Sequence, residues 1–421
     1  MIGLLVIIII LFALLGIPLF IALAGGSLLA TWQAGLDPAL LAVELNRLAA
    51  SPYLAAIPLF TFAGVVLAGG GAPQRMIQLF NALVGWLPGG MAAVALTSCA
   101  FFTAFSGASG VTILALGGLM FPMLLRAGYG ERFNLGLLTT SGSLGLLFPP
   151  SLAILLYGIV SGVSIDQLFL AGLVPGLLLL VVLGVYCMYH CSCTAVPRHQ
   201  FSMTPLLKAL REGIWDLLLP VSIIVGIFGG FVTISEAAAC TAVYVLVLEG
   251  IIHREIHFTR QLPALMKDAA ILVGSILIIL SVAMGLTNLL IDAQLPMKIL
   301  GWIEQHIESE LQFLILLNVF LLIVGCMMDI FSATVVVVPL ILPIAASYGI
   351  HPVHLGIIFL ANLEIGYSTP PVGINLFIAS QRFREPVLTL FRACLPFILI
   401  MLIWLLVITY IPELSLWWLD K

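Results

Sequence analysis

The chain has 421 residues, 62% of them hydrophobic and 8% charged, with a mean hydropathy of +1.24. Soluble domains carry roughly 25% charged residues, so the composition excludes a soluble enzyme, even one held by a single anchor, and describes a polytopic membrane protein. The net charge of −4 says little, because the distribution of charge carries the information.

Lipid offers backbone groups no hydrogen-bond partner, so the spans must be helices, each of about 20 mostly apolar residues. The opening run from Met1 to Leu15 has no basic segment and no small-residue cleavage site. It reads as a retained first helix, part of a span over 3–30. A span at 53–70 is followed by an amphipathic segment, 73–86, that lies in the membrane plane. The apolar stretch 88–127 is interrupted by Ser106-Gly107-Ala108-Ser109-Gly110 and reads as two short helices folded into a hairpin. Spans follow at 131–161, 167–189, 213–230, 235–252 and 268–291. A second amphipathic segment, 296–308, precedes a second hairpin, 311–347, with Asp329-Ile330-Phe331-Ser332 at its tip. The last spans are 353–381 and 387–412.

Two of these spans are broken by the same motif. The first reads Ser143-Leu144-Gly145-Leu146-Leu147-Phe148-Pro149-Pro150-Ser151, and the second Glu364-Ile365-Gly366-Tyr367-Ser368-Thr369-Pro370-Pro371-Val372, 221 positions later. Pro122 and Pro343, Gly128 and Gly349, and Pro175 and Pro396 keep the same offset. Helix breakers held at one spacing indicate an internal duplication, and duplicated interrupted helices point to a secondary transporter and its binding site. The halves are 1–190 and 213–421, joined by a cytoplasmic linker, 191–212.

This topology puts 12 of the 15 basic residues on one side and only Arg47, Lys298 and Lys421 on the other. The richer side is cytoplasmic, with the N-terminus inside and the C-terminus outside. The two halves are then inverted, the first hairpin opening inward and the second outward. Charge does not separate a hairpin that dips in and returns from two full spans. The fold expected is an all-α inverted repeat of about nine full spans, two hairpins and two broken helices.

The broken helices carry the chemistry. Pro-Pro in an apolar span frees carbonyls and starts a new helix just beyond. Its N-terminus, at Ser151 or Val372, presents amide N–H groups and a partial positive charge. Freed carbonyls suit a small cation, and the amides suit an anion. At the tips, hydroxyls and glycines that permit close approach complete the site. Oxygen ligands fit a hard cation such as Na+. The cation candidates are Ser106, Gly107, Ser109, Ser141, Gly145, Asp329, Ser332, Asn362, Glu364, Gly366 and Thr369. The substrate candidates are Ser109, Thr112, Pro150, Ser151, Thr334, Pro371, Gly373 and Asn375. A hydroxyl outside the tips more often bonds back to its own helix.

Asp329 and Glu364 are the only carboxylates placed deep in the membrane. Buried and unpaired, each needs a cation, a proton or strong hydrogen bonds. Cys187, Cys191 and Cys193 flank His190, but the spacing fits no standard zinc pattern; no cofactor and no metal other than Na+ is expected. Gly107-Ala108-Ser109-Gly110 matches the serine element of rhomboid-type intramembrane proteases. Such a serine needs a base within reach, and none of the seven histidines falls mid-span. Glu304, Glu308 and Glu310 form an acidic outer segment, read as a solvated face.

The blocks Gly349-Ile350-His351-Pro352-Val353-His354-Leu355-Gly356 and Asn362 to Gly373 resemble the large membrane subunit of tripartite ATP-independent periplasmic (TRAP) transporters. So do the first tip, the first Pro-Pro break, Gly229 to Ala238, and Gly16-Ile17-Pro18. The resemblance implies an ion-transporter fold working as an elevator, with re-entrant hairpins. It implies Na+-driven import of an organic acid, a carboxylate or sialic acid, across the cytoplasmic (inner) membrane of a bacterium or archaeon. It implies two partners, a small four-helix membrane subunit and a periplasmic substrate-binding protein. The Na+ sites fall at the tips against the broken helices, with substrate between them. The chain departs from the pattern at Ser368, where many members carry an apolar residue. Ala108 occupies the position equivalent to Asp329, so the two cation sites differ. A standalone carboxylate carrier of the same superfamily is the alternative; the intramembrane protease is a remote one.

Overall fold

The computed structural model describes residues 19–34, 53–194, 203–292 and 309–418, with single positions 37, 39, 43, 46, 294, 301, 306 and 307. The start of the first span, Gly16 to Pro18, Arg47, Lys298, Lys421, Glu304, Glu308 and most of the amphipathic segment 296–308 lie outside the described residues.

The described residues form helices joined by short connections. In chain order, α1 (Leu19–Ala34) is followed by α2 (Ala56–Gly69) and α3 (Ala72–Val84). The first hairpin is α4 (Gly90–Ser106) and α5 (Ser109–Arg126). The first broken helix is α6 (Glu131–Ser141), a 3-10 turn (Leu144–Leu147) and α7 (Leu152–Ser161). Next come α8 (Ile165–Thr194), α9 (Met203–Phe228), α10 (Ile234–Val247), which runs into a π-turn (Leu248–Ile252), and α11 (Leu262–Asp292). The second hairpin is α12 (Glu310–Met327) and α13 (Ile330–Ser347), and the second broken helix is α14 (Pro352–Gly366) and α15 (Ile374–Phe383). The chain closes with α16 (Val387–Tyr410) and the short α17 (Glu413–Leu416).

Among the described residues seven helices are long and apolar enough to cross a membrane, or up to nine if each bent pair is one span. The span expected at 53–70 is shorter than a full crossing, whereas the change of direction expected before the segment 73–86 is present. The helix of that span, α2, has 14 residues and bends by 74° into α3. Gly69-Gly70-Gly71 ends α2, and Pro73, which needs no N–H donor, sits in the first turn of α3. Helix α8 runs to Thr194 and α9 begins at Met203, so both helices extend into the segment expected as a linker, 191–212. The segment from Met203 pairs apolar with charged residues and continues the helix instead of leaving it.

Several starts follow from capping. Thr233 and Glu236 form a capping box on α10, and Ser309 caps α12. Pro352 opens α14 at its first position behind the His351 cap.

Hairpin arms of 17 or 18 residues are about 26–27 Å long at 1.5 Å per residue, close to the hydrocarbon thickness of about 30 Å. The arms end in equivalent places, at Ser106 and Met327 and again at Arg126 and Ser347. Contacts cross between the halves. The second arm of each hairpin packs on the far segment of the other half's broken helix, α5 on α15 and α13 on α7. The core lies among these elements, and α14 is buried from Val353 through Gly366. The outer faces of α9, α11 and α16 expose Val221, Val225, Ile271, Ile278, Leu399 and Ile403, the apolar surface that lipid requires.

Candidate functional site at the hairpin tips and broken helices

The first tip closes on its own break through hydroxyls. Gly107, at φ 62°, turns the chain between α4 and α5, a left-handed conformation that favours glycine. Thr103 Oγ1 donates to Gly142 O at 2.6 Å and lies 2.8 Å from Thr112 Oγ1. Ser106 Oγ lies 3.4 Å from Thr112 Oγ1. A Cβ on Gly145 would stand 2.2 Å from Ala100 O, so the break runs directly against α4. Ser109 is buried at the head of α5, and Ser141 is buried beside the Cys99 thiol. The Pro149–Pro150 bond is cis, and both prolines are buried. Ser151 caps α7, its Oγ accepting the Ala153 N–H at 3.3 Å.

The second tip is built differently. Asp329 caps α13, accepting the Phe331 and Ser332 N–H groups at 3.0 Å each and the Ser332 hydroxyl. Tyr367 Oη accepts the Ile330 N–H, which ties tip to break. Gly366 packs on Gly325, where a Cβ would meet Gly325 C at 2.4 Å. The Pro370–Pro371 bond is also cis, but Pro370, Pro371 and Val372 are exposed.

The second new helix does not begin at Val372. The Val372 and Gly373 N–H groups donate to Cys326 O at 3.1 and 3.0 Å. Gly373, at φ 57°, then caps α15, which starts at Ile374. Thr334 bonds back to Ile330 O within α13, and Thr369, just past the end of α14, bonds back to Ile365 O, so neither hydroxyl proton is turned to the site.

The two breaks meet. Ser143 Oγ approaches Glu364 O at 3.5 Å, and these residues hold equivalent places in the two copies. Asn375 Nδ2 reaches back to Thr139 O and Ser143 Oγ at 3.3 and 3.4 Å. Contact between equivalent positions is what a two-fold relation produces. Glu364 is fully buried, and neither carboxylate oxygen has a protein partner. Ser368 Oγ and Asn375 Oδ1 are also buried without partners.

Asn362 belongs elsewhere. Its Nδ2 donates to Asn318 Oδ1 at 2.7 Å, and Asn318 donates to Thr409 Oγ1 at 3.3 Å. This polar chain runs from α14 to α12 and α16, away from the tips. Besides the half-buried Asp329 and the buried Glu364, two further acids, Asp216 and Glu249, are buried and pair with Arg75. The sequence did not single them out, because their partner is more than 140 positions away.

Sequence reasoning also missed Thr103, Ser143, Tyr367 and Asn318. Thr103 could have been found: it precedes Ser106 by one helical turn and shares its face. Asn318, alone in an apolar helix, was a comparable signal. Among the described residues no group of three His, Cys, Asp or Glu could hold a metal. His190 stacks on Phe133 with ring centroids 4.3 Å apart.

Paired interrupted helices, each closed against a hairpin and meeting at equivalent residues, define a polytopic membrane transporter. The chain belongs to the DctM family, the DctM component of the tripartite ATP-independent periplasmic transporters, whose family model matches residues 6–414. It is 36% identical to a C4-dicarboxylate TRAP transporter large permease protein of Pseudomonas aeruginosa, over 89% of this chain and 88% of that protein. It is 33% identical to an isethionate TRAP transporter permease protein of Oleidesulfovibrio alaskensis, over 96% of this chain and 64% of that protein. The crystal structure of the Alcanivorax borkumensis YdaH transporter matches with a TM-score of 0.62 at 14% identity, over 90% of this chain and 88% of that one; that likeness is one of fold. The chain is therefore a transporter permease subunit and not an enzyme.

Proposed function

We propose that the chain is the permease of a Na+-coupled, binding-protein-dependent importer of an organic acid anion. The carrying observation is the meeting of the two breaks at Ser143 and Glu364, with a hairpin tip packed on each. An ionised carboxylate has about four acceptor sites. Asp329 uses three in capping its helix, which leaves it able to join a cation's shell at the second tip. Ser332, Gly366 and Thr369 supply further oxygens there. Ser106, Gly107, Ser109, Ser141 and Gly145 do so at the first tip, where no acid stands. Glu364, with two unpartnered buried oxygens, needs a cation or a proton.

The anion sits between the tips, against Ser109, Thr112, Pro150, Ser151, Thr334, Pro371, Gly373 and Asn375. Asn375 is the best placed, since it spans both breaks. The substrate class is carboxylates and related organic acids, in keeping with the relatives' names. Cations bind first and order the tips, and a mobile unit carrying hairpins and broken helices moves as an elevator. The partners are a small four-helix subunit and a periplasmic binding protein. The protein lies in the cytoplasmic membrane with its N-terminus inside.

The test is the unfolding midpoint of the purified chain in NaCl against choline chloride at equal ionic strength. Na+ at about 100 times Kd stabilises by about 2.7 kcal/mol. A Na+-specific rise supports the reading, and its absence argues for protons. Uptake by the chain alone in proteoliposomes would instead point to a standalone carrier.

A further inference from the structure

Arg75 stands in the first turn of α3, just past the Gly69-Gly70-Gly71 elbow. Its guanidinium is nearly buried and meets three carboxylates from three segments. Nε and Nη2 grip Asp216 of α9 at 2.8 and 3.0 Å, Nη2 also meets Glu249 in the π-turn after α10, and Nη1 meets Glu255 at 2.6 Å. Glu249 Oε2 accepts the Gly71 N–H at 3.3 Å. A Cβ on Gly70 or Gly71 would stand 2.4 Å from Glu249 Oε2 or 1.8 Å from Glu255 Oε2, so the elbow backbone lies against the acids. A planar five-donor fork can serve several carboxylates at once in fixed directions. The cluster therefore fastens the bend between α2 and α3 to α9 and α10.

Both arms of that elbow touch the first hairpin. On α2, a Cβ at Gly64 would stand 2.4 Å from Phe105 O and 2.6 Å from Ser106 Cα, so the helix backbone rests on the tip itself. On α3, Phe80 packs edge-on against Phe101 of α4 with centroids 6.3 Å apart. The elbow thus grips α4 at its end and again more than one turn before it.

We propose that Arg75 is the positioning residue of the first tip: by locking the elbow to α9 and α10 it sets, through Gly64, where Ser106 stands against the first break. The residue 221 positions on is Pro296, so the second half has no such cation at the equivalent place. The inference extends the proposed function but does not need Na+ to be the ligand.

The experiment is hydrogen exchange on the purified full chain, comparing amides 105–112 with amides 326–333. Arg75→Lys keeps the charge and loses the fork; Glu255→Gln removes one half-exposed acid and serves if the first variant does not fold. Gly64→Ala disturbs the contact without touching the ions. Each should speed exchange at the first tip about tenfold and leave the second tip within about twofold. Unchanged exchange at the first tip in folded variants, or an equal rise at both tips, overturns the proposal. Apparent Na+ affinity, read on the same samples, separates the two readings: if Na+ does not stabilise the parent protein, the coupling ion is wrong and the exchange result still decides the role of Arg75.

Discussion

In the first half the Thr103 hydroxyl joins hairpin to break and those of Ser106 and Thr112 tie the hairpin arms to it, whereas 221 positions on the second half holds Val324, Met327 and Ala333. There the join is made by backbone N–H groups on Cys326 O and by Tyr367. Conversely, Asp329 and Ser332 stand where the first half has Ala108 and Val111. The copies keep one backbone plan and have moved their polar atoms to different registers. The first assembly is neutral and sealed, with Pro149 and Pro150 buried; the second carries a charge and exposes Pro370, Pro371 and Val372. A duplicated chain can therefore share a break geometry while dividing the chemistry between its halves.

The shared plan is the part whose disruption has the largest effect. Gly145 and Gly366 are equivalent, and a Cβ on either would clash with its own hairpin at 2.2 Å (Ala100 O) or 2.4 Å (Gly325 C). Overpacking costs about 1–3 kcal/mol, occasionally more, and here the obstructing atoms are backbone. Gly145→Val and Gly366→Val should each lower the unfolding midpoint of the purified protein strongly and by similar amounts. A mild effect at one site alone would show that the two breaks are not held alike.

The difference between the halves is sharpened by Na+. In the reading given above, Asp329→Asn removes the only carboxylate at either tip. It should cut the Na+-specific stabilisation by about 1.4 kcal/mol or more, a factor of ten in affinity. Ser106→Ala, a neutral oxygen among several, should cut it by less than half as much. Equal losses would mean that cation chemistry is not concentrated in the second half.

Exposure makes a third contrast. In a background with the exposed Cys240 replaced by Ser, Val372→Cys should react readily with a hydrophilic maleimide. Ser151→Cys, at the equivalent and fully buried place, should stay protected until the protein unfolds. Comparable rates would contradict a sealed first break.

Much of this plan was legible in the sequence, for identifiable reasons. Hairpins expected at 88–127 and 311–347 are found at Gly90–Arg126 and Glu310–Ser347, because a polar tip inside an apolar run has few other meanings in a membrane. The Pro-Pro breaks were legible because proline acts locally. The turn after Gly69 was legible as well, since the glycines part an apolar run from an amphipathic one, but the shortness of α2 was not, because its 14 apolar residues read like a full span. The start of α15 at Ile374 was hidden too, since it depends on Cys326 O capturing two amides from 46 and 47 residues away. Arg75 was visible as a positive charge, but its burial depends on Asp216, 141 positions on. Local signals survived the step from sequence to fold; tertiary pairings did not.

The smallest expected effect tests the hydroxyl join directly. Thr103→Val gives the first half the residue type that the second carries at Val324. The change keeps the shape and removes the donor to Gly142 O and the link to Thr112 Oγ1. A net hydrogen bond contributes about 0.5–1.5 kcal/mol, and an orphaned buried acceptor raises the cost of its loss. Stability measured by denaturant should fall by about 1–2 kcal/mol, with the slope unchanged because the exposed surface is the same. The loss should be local, so that Asp329-dependent Na+ stabilisation persists in the variant. If stability does not change, the Gly145–Ala100 backbone contact alone holds the first break shut, and the two halves are joined in the same way after all.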